Sequence, residues 1–592
     1  MQILEYPFDS AYILKNKRSI KKELLSEGNF ALTKKIAVLG GSTTSEIVKI
    51  LELFLLNYGI KAQFYESEYN RYWQDACFEN KELEEFAPDI IFIHTSNRNL
   101  IKKDFSPSCT KEQIDAELSE QFEHFTQMWE NIARVYKCPI IQNNFELPYY
   151  RLLGNADCSN IGGKTRYINE LNRRFADFAQ KHSSFYINDI AYLSASFGLE
   201  KWSDPYYWHM FKYALSVPAI PEFAFNVANI IKSIFGMNKK VLALDLDNTL
   251  WGGIVGDDGV SGIEIGQETP MSQVYSEFQS YIKSHKDLGI MLTVCSKNEH
   301  ENAVAGLCHP QSVLSPDDFV VIKANWDPKD KNLVDTAEEL NILPESIVFV
   351  DDNPAERAIA RGQIAKMAIP EIEKVENYIK TIDRNGYFEV TSYSADDAKR
   401  VEMYKANAQR TQAQKRFENY EDYLLSLEMS AEILPFCELY LARITQLTNK
   451  SNQFNVTTKR YTIEQMNSVC ADSNYVTLYG KLVDKFGDNG VVSVVIGNIK
   501  ENALHIDLWL MSCRVLKRDV EYAMLDTLVS ECRKRSISKI YGYYYPTAKN
   551  AMVRNLFGDF GFTLEQSDEQ NNTVWSLDIA DYENKNKVIK VN

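Results

Sequence analysis

The sequence predicts a multidomain α/β protein, and three observations predict it. The chain has 592 residues, room for three or four compact units at roughly 100 to 200 residues each. Over residues 1–237 apolar strands alternate with amphipathic helices: KKIAVLGG, TTSEIVKILELFLLNYG, AQFYESEY, PDIIFIHTS, a long helix through Ile114 to Tyr136, CPIIQNNF, and a helix before SSFYIND. That alternation is the pattern of a three-layer α/β domain with a parallel sheet. Over 238–370 the apolar strands VLALDLD, IMLTVCS and IVFVDDN each turn polar at the carboxyl end, the edge at which open α/β sheets build their sites. Residues 371–430 read as a charged helical linker, with AKRVEMYKANAQRTQAQKRFENYEDYLLSL its longest periodic stretch. Residues 431–592 read as an α+β domain, in which YVTLYGKLV, GVVSVVIG and ALHIDLWLM look antiparallel and are followed by helix, strand, helix and a Gly-Phe turn.

Apolar residues make up 45% and charged residues 25%, with 26 Gly and 17 Pro, the composition of a globular chain rather than a disordered or fibrous one. Lys plus Arg number 65 against 81 Asp plus Glu, a net charge of −16 with no basic stripe to override it. Such a chain repels a phosphate backbone, so a nucleic-acid partner is not expected. No segment approaches the roughly 18 apolar residues of a membrane span, and the start MQILEYPFDS lacks a basic region followed by an apolar run. A soluble, cytoplasmic protein with no membrane partner is therefore expected. The ten cysteines have no close pair at zinc spacing, which predicts reduced thiols that pack as small hydrophobes.

The chemical centre lies at Asp245-Leu246-Asp247-Asn248-Thr249, where residues two apart on an extended segment can face one pocket. A first Asp there can attack a phosphoryl or acyl group, and a second can donate a proton to the leaving oxygen and later activate water. Two carboxylates at the end of a buried strand repel each other, and a hard cation with oxygen ligands, usually Mg2+, relieves this. A third carboxylate source follows IVFV as Asp351-Asp352, and Ser296 and Lys329 stand at two further sheet edges, where donors to phosphoryl oxygens can converge. Taken singly these pieces also suit a capped turn, an N-cap and a surface charge. The ordered set, DxDxT, a strand ending in Ser, a Lys, and a strand ending in Asp-Asp, resembles the four-part signature of the haloacid dehalogenase (HAD) superfamily of phosphotransferases.

That resemblance implies a Rossmann-like domain with Asp245 as nucleophile and Asp247 as acid/base. It implies that Thr249 and Ser296 orient the phosphoryl group while Lys329 offsets its charge. Mg2+ would then sit between Asp245, the backbone carbonyl of Asp247 and one of Asp351 or Asp352, with Asp352 slightly preferred and Lys329 preferred to Lys331. The wording LDLDNTLWGGIVGDDG, VCSKNEH, NWDPK and VFVDDNPAER further resembles the FkbH-like proteins, HAD subfamily IIIC. This implies that a small phosphorylated metabolite, 1,3-bisphosphoglycerate, is dephosphorylated and its glyceryl unit placed on an acyl carrier protein. The gaps from Thr249 to Ser296 and from Ser296 to Lys329 are too short for a substantial cap, so a carrier's phosphopantetheine arm can enter. Cys295, beside Ser296, reads equally as a thioester-forming catalytic thiol and as a buried small residue.

In the first domain Gly40-Gly41-Ser42-Thr43-Thr44 follows a strand and opens a helix. It resembles the first block of SGNH-type esterases, a flavodoxin-like three-layer fold, with Asn97 as oxyanion donor and Asp204 and His209 as partners of Ser42. The spacing Asp-Pro-Tyr-Tyr-Trp-His departs from that family's DxxH, and Thr95 stands where it has Gly. A non-catalytic docking fold is the reading preferred here, with Ser42 a helix N-cap and His209 in an aromatic cluster. The last domain resembles GNAT-type acyltransferases in element order. Arg514-Val515-Leu516-Lys517-Arg518-Asp519 stands where that family has a Gly-rich, pyrophosphate-binding turn, leaving Arg514, Lys517 and Arg518 as candidate pantetheine or coenzyme A contacts. The polar stretches SNQFNVTTKRY, DKFGDNG and YPTAKN are further candidates to line a pocket.

Three readings of function result. The first is Mg2+-dependent dephosphorylation of a phosphoacyl donor with acyl transfer to a carrier thiol. The second is a plain phosphatase acting on a small phosphate ester or sugar phosphate, and the third is a non-catalytic carrier-docking scaffold.

Overall fold

The computed structural model describes the chain except residues 29, 102–104, 392, 394–398, 415 and 548. The described residues form two units, Met1–Ile234 with Thr462–Gln465, and Phe235–Tyr461 with Met466–Asn592. Among them no helix is long and apolar enough to cross a membrane.

The first unit is built on β1 (Leu32–Gly40), β2 (Ile60–Glu66), β3 (Ile90–His94), β4 (Ile140–Asn143) and β5 (Phe185–Asn188). They pair in parallel in the order β2-β1-β3-β4-β5. β3 and β4 are buried throughout, as strands covered by helices on both faces are. The expected long helix runs Lys111–Tyr136, opened by a reciprocal cap between Thr110 and Gln113. It sets Phe125, Met128 and Trp129 against Phe145 and Phe175 in the core. Because β1 pairs with both β2 and β3, the chain reverses its direction of winding at the β1/β3 edge, and Ser42 and Asn97 both follow strands that end there.

The second unit opens with a parallel sheet of β6 (Val241–Leu244), β7 (Met291–Ser296), β8 (Phe319–Ala324) and β9 (Ile347–Val350), in the order β8-β7-β6-β9. Between β6 and β7 the chain forms a flap closed by paired amides of Gly252 and Glu264, then the helix Pro270–Ser284. Among the described residues no further domain is inserted over the carboxyl edge.

The mixed sheet that follows contains β10 (Ser430–Leu434), β11 (Phe454–Asn455), β12 (Tyr475–Asp484), β13 (Gly487–Lys500), β14 (Ala503–Met511), β15 (Lys539–Tyr544), β16 (Thr563–Ser567), β17 (Thr573–Asp578) and β18 (Lys590–Val591). β14 and β15 run parallel only over Ala503–His505 and Lys539–Tyr541, and then part. β11 pairs with β14 at Leu510 and Met511, and Val456 bonds on to Trp509 and Tyr545, so this segment takes up the edge that the divergence opens.

The expected linker is a packed joint in the residues described. In the helix Arg400–Gln414, Tyr404 enters the core beneath the β6–β9 sheet and Arg410 is buried. Arg400 donates to the Gly289 carbonyl at 3.3 Å, Lys405 reaches the Asp317 carbonyl, and Lys549 pairs with Glu345. Gly289, Asp317 and Glu345 precede β7, β8 and β9. The joint and the C-terminal domain therefore attach at the amino edge of this sheet, opposite its carboxyl edge.

Candidate active site

β6 stops at Leu244, and Asn248, at φ +56, turns the chain; Asn tolerates this left-handed conformation because its short polar side chain bonds locally. Here its Oδ1 accepts the Gly253 amide at 3.0 Å. The turn leaves Asp245 and Asp247 at the carboxyl edge, where Ser296, Lys329 and the Asp351-Asp352 pair also arrive. Lys329 opens the helix Lys329–Glu339 after β8.

Lys329 Nζ lies 2.9 Å from Asp245 Oδ2 and 2.6 Å from Asp351 Oδ2, with the lysine 4% exposed. Burial alone would lower its pKa, but the two carboxylates outweigh burial and hold the ammonium above its ordinary range. Burial, then the charge of Asp245, pushes Asp351 up to about 7. Asp352 is raised by the same causes in the same order, and Asp247 by burial. Lys331, by contrast, pairs at the surface with Asp327 at 3.0 Å.

A divalent cation fits these residues. Carboxylate oxygens of Asp245, Asp351 and Asp352 lie within 4.8 Å of one another, and Asp245 Oδ1 is buried with no hydrogen-bond partner. Both oxygens of Asp351 are engaged, Oδ2 by Lys329 and Oδ1 by the Asn353 amide at 2.8 Å. Asp352 uses Oδ1 on the Thr249 hydroxyl at 3.3 Å. The set therefore offers Asp245 and Asp352 to a hard, oxygen-seeking ion, and bound there it would neutralise charge on a phosphoryl group and on the crowded carboxylates. Arg357 fixes the pair by donating to the carbonyls of Asp351 and Asp352, both at 2.8 Å, while Glu371 holds its other face.

Three expected roles change. The Thr249 hydroxyl also accepts the Asp352 amide at 3.2 Å and the residue is wholly buried, so it acts through Asp352 rather than on the phosphoryl group. Cys295 is 1% exposed among Leu333, Ala337 and Tyr404, on the face of β7 away from Ser296, with its thiol 3.5 Å from the Lys329 carbonyl. Burial pushes that thiol well above its ordinary range, so it is neither accessible nor ionised as a nucleophile must be. Arg514 and Arg518 turn inward, away from any phosphate. Arg514 bonds Ser512 at 3.2 Å, and Arg518 bonds Asp484 at 3.1 Å and Asn407 at 2.8 Å. Lys517 offers its carbonyl to Tyr420, and the first turn of the helix beyond it carries the carboxyl of Glu521, beside the capping Asp519. Two acids there oppose an anion.

The SGNH-like constellation is not assembled. Ser42 Oγ is buried with no hydrogen-bond partner, so no histidine activates it, and Asp204 Oδ1 caps its own helix at the Tyr206 amide, 2.8 Å away. His209 lies in that same short helix, Pro205–Phe211. Asn97 turns to the loop after β4, its backbone N–H donating to Glu146 Oε2 at 3.1 Å and its side-chain amide to the Glu146 carbonyl at 3.4 Å. Burial pushes Glu146 up to about 7 against the opposing Asn97 amide, Lys164 and Arg98. A carboxyl with a raised folded-state pKa contributes stability that is full below its unfolded pKa and lost as pH rises through the folded one. Glu146→Gln is therefore expected to flatten the urea midpoint of this unit between pH 4.5 and 7. Above that window it should stabilise by on the order of 3 kcal/mol.

The three polar stretches of the last domain brace it. Asn550 donates to the Asn455 and Tyr545 carbonyls at 2.9 Å, and Asn489 and Asp484 are buried; Ala548 of YPTAKN lies outside the described residues. Sequence reasoning missed Trp251, Asn298 and Arg357, all near the carboxylates.

Residues 35–232 match the family model described as FkbH, N-terminal domain. Among solved structures the chain is similar to the N-terminal part of the protein BF1531 from Bacteroides fragilis, containing a phosphatase domain complexed with Mg. Identity is 28% and the TM-score 0.59, over 64% of this chain and 99% of that one. It is also similar to the ribosomal-protein-S18-alanine N-acetyltransferase from Escherichia coli, at 13% identity and TM-score 0.21 over 26% of this chain and 99% of that one. A third likeness is to the PaiA N-acetyltransferase from Thermoplasma acidophilum in complex with coenzyme A, at 14% and 0.19 over 25% of this chain and 99% of that one. No curated protein matches the chain. Fold and site together define a HAD-like phosphatase domain, with carboxylates that suit a divalent cation, within a multidomain α/β chain. Residues 35–232 form an FkbH-type N-terminal domain.

Proposed function

We propose that this protein removes phosphate from a small phosphoacyl metabolite of the 1,3-bisphosphoglycerate kind and passes the acyl unit to the thiol of a phosphopantetheine arm on an acyl carrier protein. The observation that carries the phosphatase half is Asp245, with one oxygen on Lys329 and the other buried and unpartnered beside Asp352. Asp245 attacks the phosphorus of the phosphate ester as its bond to the leaving oxygen breaks, Asp247 protonates that oxygen, which departs as an alcohol, and then takes a proton from the water that opens the aspartyl phosphate, and Lys329 offsets the phosphoryl charge; the acyl phosphate, left intact, is attacked at its carbonyl carbon by the carrier thiol, with phosphate as the leaving group. The lack of an inserted domain between β6 and β7 among the described residues supports entry of a long arm, and the burial of Cys295 supports transfer that does not pass through that thiol.

The test incubates the protein with Mg2+, enzymatically generated 1,3-bisphosphoglycerate and a phosphopantetheinylated carrier, and reads phosphate release and intact masses. A glyceryl mass on the carrier is expected. Phosphate release with no acylation leaves a plain phosphatase, and no release leaves the docking scaffold. Cys295→Ala is expected to keep both phosphate release and carrier acylation within a few-fold of the parent. Loss of acylation with release intact would restore a thioester relay through that residue.

A further inference from the structure

The acid/base carboxyl is held by more groups than any other at the site. Asp247 Oδ1 accepts two donors, the Trp251 indole N–H at 2.9 Å and the Val255 amide at 3.0 Å. Oδ2 accepts one, the Asn298 side-chain amide at 3.0 Å. A carboxylate oxygen has about two lone-pair positions, so Oδ1 is filled and Oδ2 keeps one. A proton on this carboxyl therefore belongs on Oδ2, and the three donors fix the plane in which it points.

The indole cannot drift from this duty. Trp251 is fully buried, and Gly306 gives it room: a Cβ there would come within 2.9 Å of the ring. Asn298 is also buried and stands two residues beyond Ser296, on the loop that carries the phosphoryl-binding edge of β7. Trp251 reaches Asp247 from two residues beyond the DxDxT turn and Asn298 from a separate segment after β7, so the carboxyl is held from two sides.

We infer that Trp251 and Asn298 are positioning residues that aim the Oδ2 proton of Asp247 at the leaving oxygen, and that they therefore set which leaving groups this protein can expel. The inference rests on the phosphatase reading above. In the first half-reaction the Asp245–phosphorus bond forms as the bond from phosphorus to the leaving oxygen breaks, and the Asp247 proton goes to that oxygen, which departs as an alcohol. In the second, water adds to phosphorus, its proton returns to Asp247, and Asp245 is freed with release of phosphate. Only the first depends on the leaving group. An alkoxide leaves poorly without a proton, whereas p-nitrophenolate leaves without one.

The experiment compares kcat/KM, which reports the first half-reaction, for p-nitrophenyl phosphate and for glycerol phosphate in the full chain with Mg2+. Trp251→Phe and Asn298→Ala are each expected to lose about 10- to 100-fold more on glycerol phosphate than on p-nitrophenyl phosphate, part of the 100- to 10,000-fold that a positioned acid typically supplies. Gly306→Ala, which presses on the ring and touches nothing else at the site, should shift the ratio in the same direction and serves if Trp251→Phe does not fold. Equal losses on both substrates would make these residues ordinary packing and overturn the inference. A parent that hydrolyses neither substrate would remove the phosphatase reading, and this inference with it.

Discussion

Asp245→Asn is expected to lower phosphate release by on the order of 10,000-fold or more while the protein stays folded, the scale of loss seen when a covalent nucleophile is removed. The substitution keeps the shape of the side chain, and Lys329 retains Asp351 at 2.6 Å as its counter-charge. No buried ammonium is stranded, so the loss is chemical rather than structural. The neighbouring carboxylates also lose one like charge. Asp351, which burial and then Asp245 push up to about 7, is expected to fall in pKa in the variant. Phosphate release and the thermal midpoint, measured side by side, decide the matter. Release near the parent rate would show that Asp245 is not the nucleophile, and a collapsed midpoint would show that the residue holds the fold. Lys329→Met is the instructive contrast: it leaves Asp245 and Asp351 buried and unpaired, and should cost stability as well as rate.

Much of this site was legible in the sequence because its carboxylates follow strand ends and its lysine opens the helix after β8. An apolar run that turns acidic at its carboxyl end marks both the strand and the edge, which is why Asp245, Asp247, Asp351 and Asp352 were read in place. Cys295, open between two readings in the sequence, had a signal that decides for the buried one. Neighbours on a strand point to opposite faces, so a residue beside Ser296 faces away from the pocket that Ser296 meets. β8 lies at the sheet edge and alternates between buried and half-buried residues, which makes its apolar run less distinct than those of β6 and β9. Trp251, Asn298 and Arg357 stand inside the stretches LDLDNTLWGGIVGDDG, VCSKNEH and VFVDDNPAER, but nothing there marks them as working residues. Their duties depend on how the flap and two loops meet in space, and no spacing encodes that. Arg514 and Arg518 failed for a related reason: a basic pair before a helix looks like an anion site until the acid that claims part of it, here Asp484 on β12, is seen across the fold.

That acid carries the second large effect. Asp484 is fully buried and its Oδ1 accepts Arg410 at 2.7 Å and the Phe486 amide at 2.8 Å, while Oδ2 accepts Arg518 at 3.1 Å and Asn489 at 3.4 Å. Burial, with the nearby Arg410 charge second, brings Arg518 down to about 10. The two guanidinium groups tolerate this interior only because one carboxylate lies between them. Asp484→Asn preserves the shape and removes the charge, leaving two buried cations facing each other. The expected cost is about 3 to 5 kcal/mol of unfolding free energy, the cost of breaking a buried ion pair from one side, read from the urea midpoint of the second unit. Replacing all three residues together, Asp484→Leu with Arg410→Met and Arg518→Leu, should recover most of that loss, because a well-packed apolar set bears no desolvation penalty. Arg410 belongs to the helix whose Tyr404 packs beneath the β6–β9 sheet, so the damage is expected to reach the joint at the amino edge. Asp245 and Lys329 stand at the carboxyl edge, and phosphate release per folded molecule should hold near the parent value in both variants. A stability change under about 0.5 kcal/mol in Asp484→Asn, the level of an ordinary surface substitution, would mean that water already reaches this cluster.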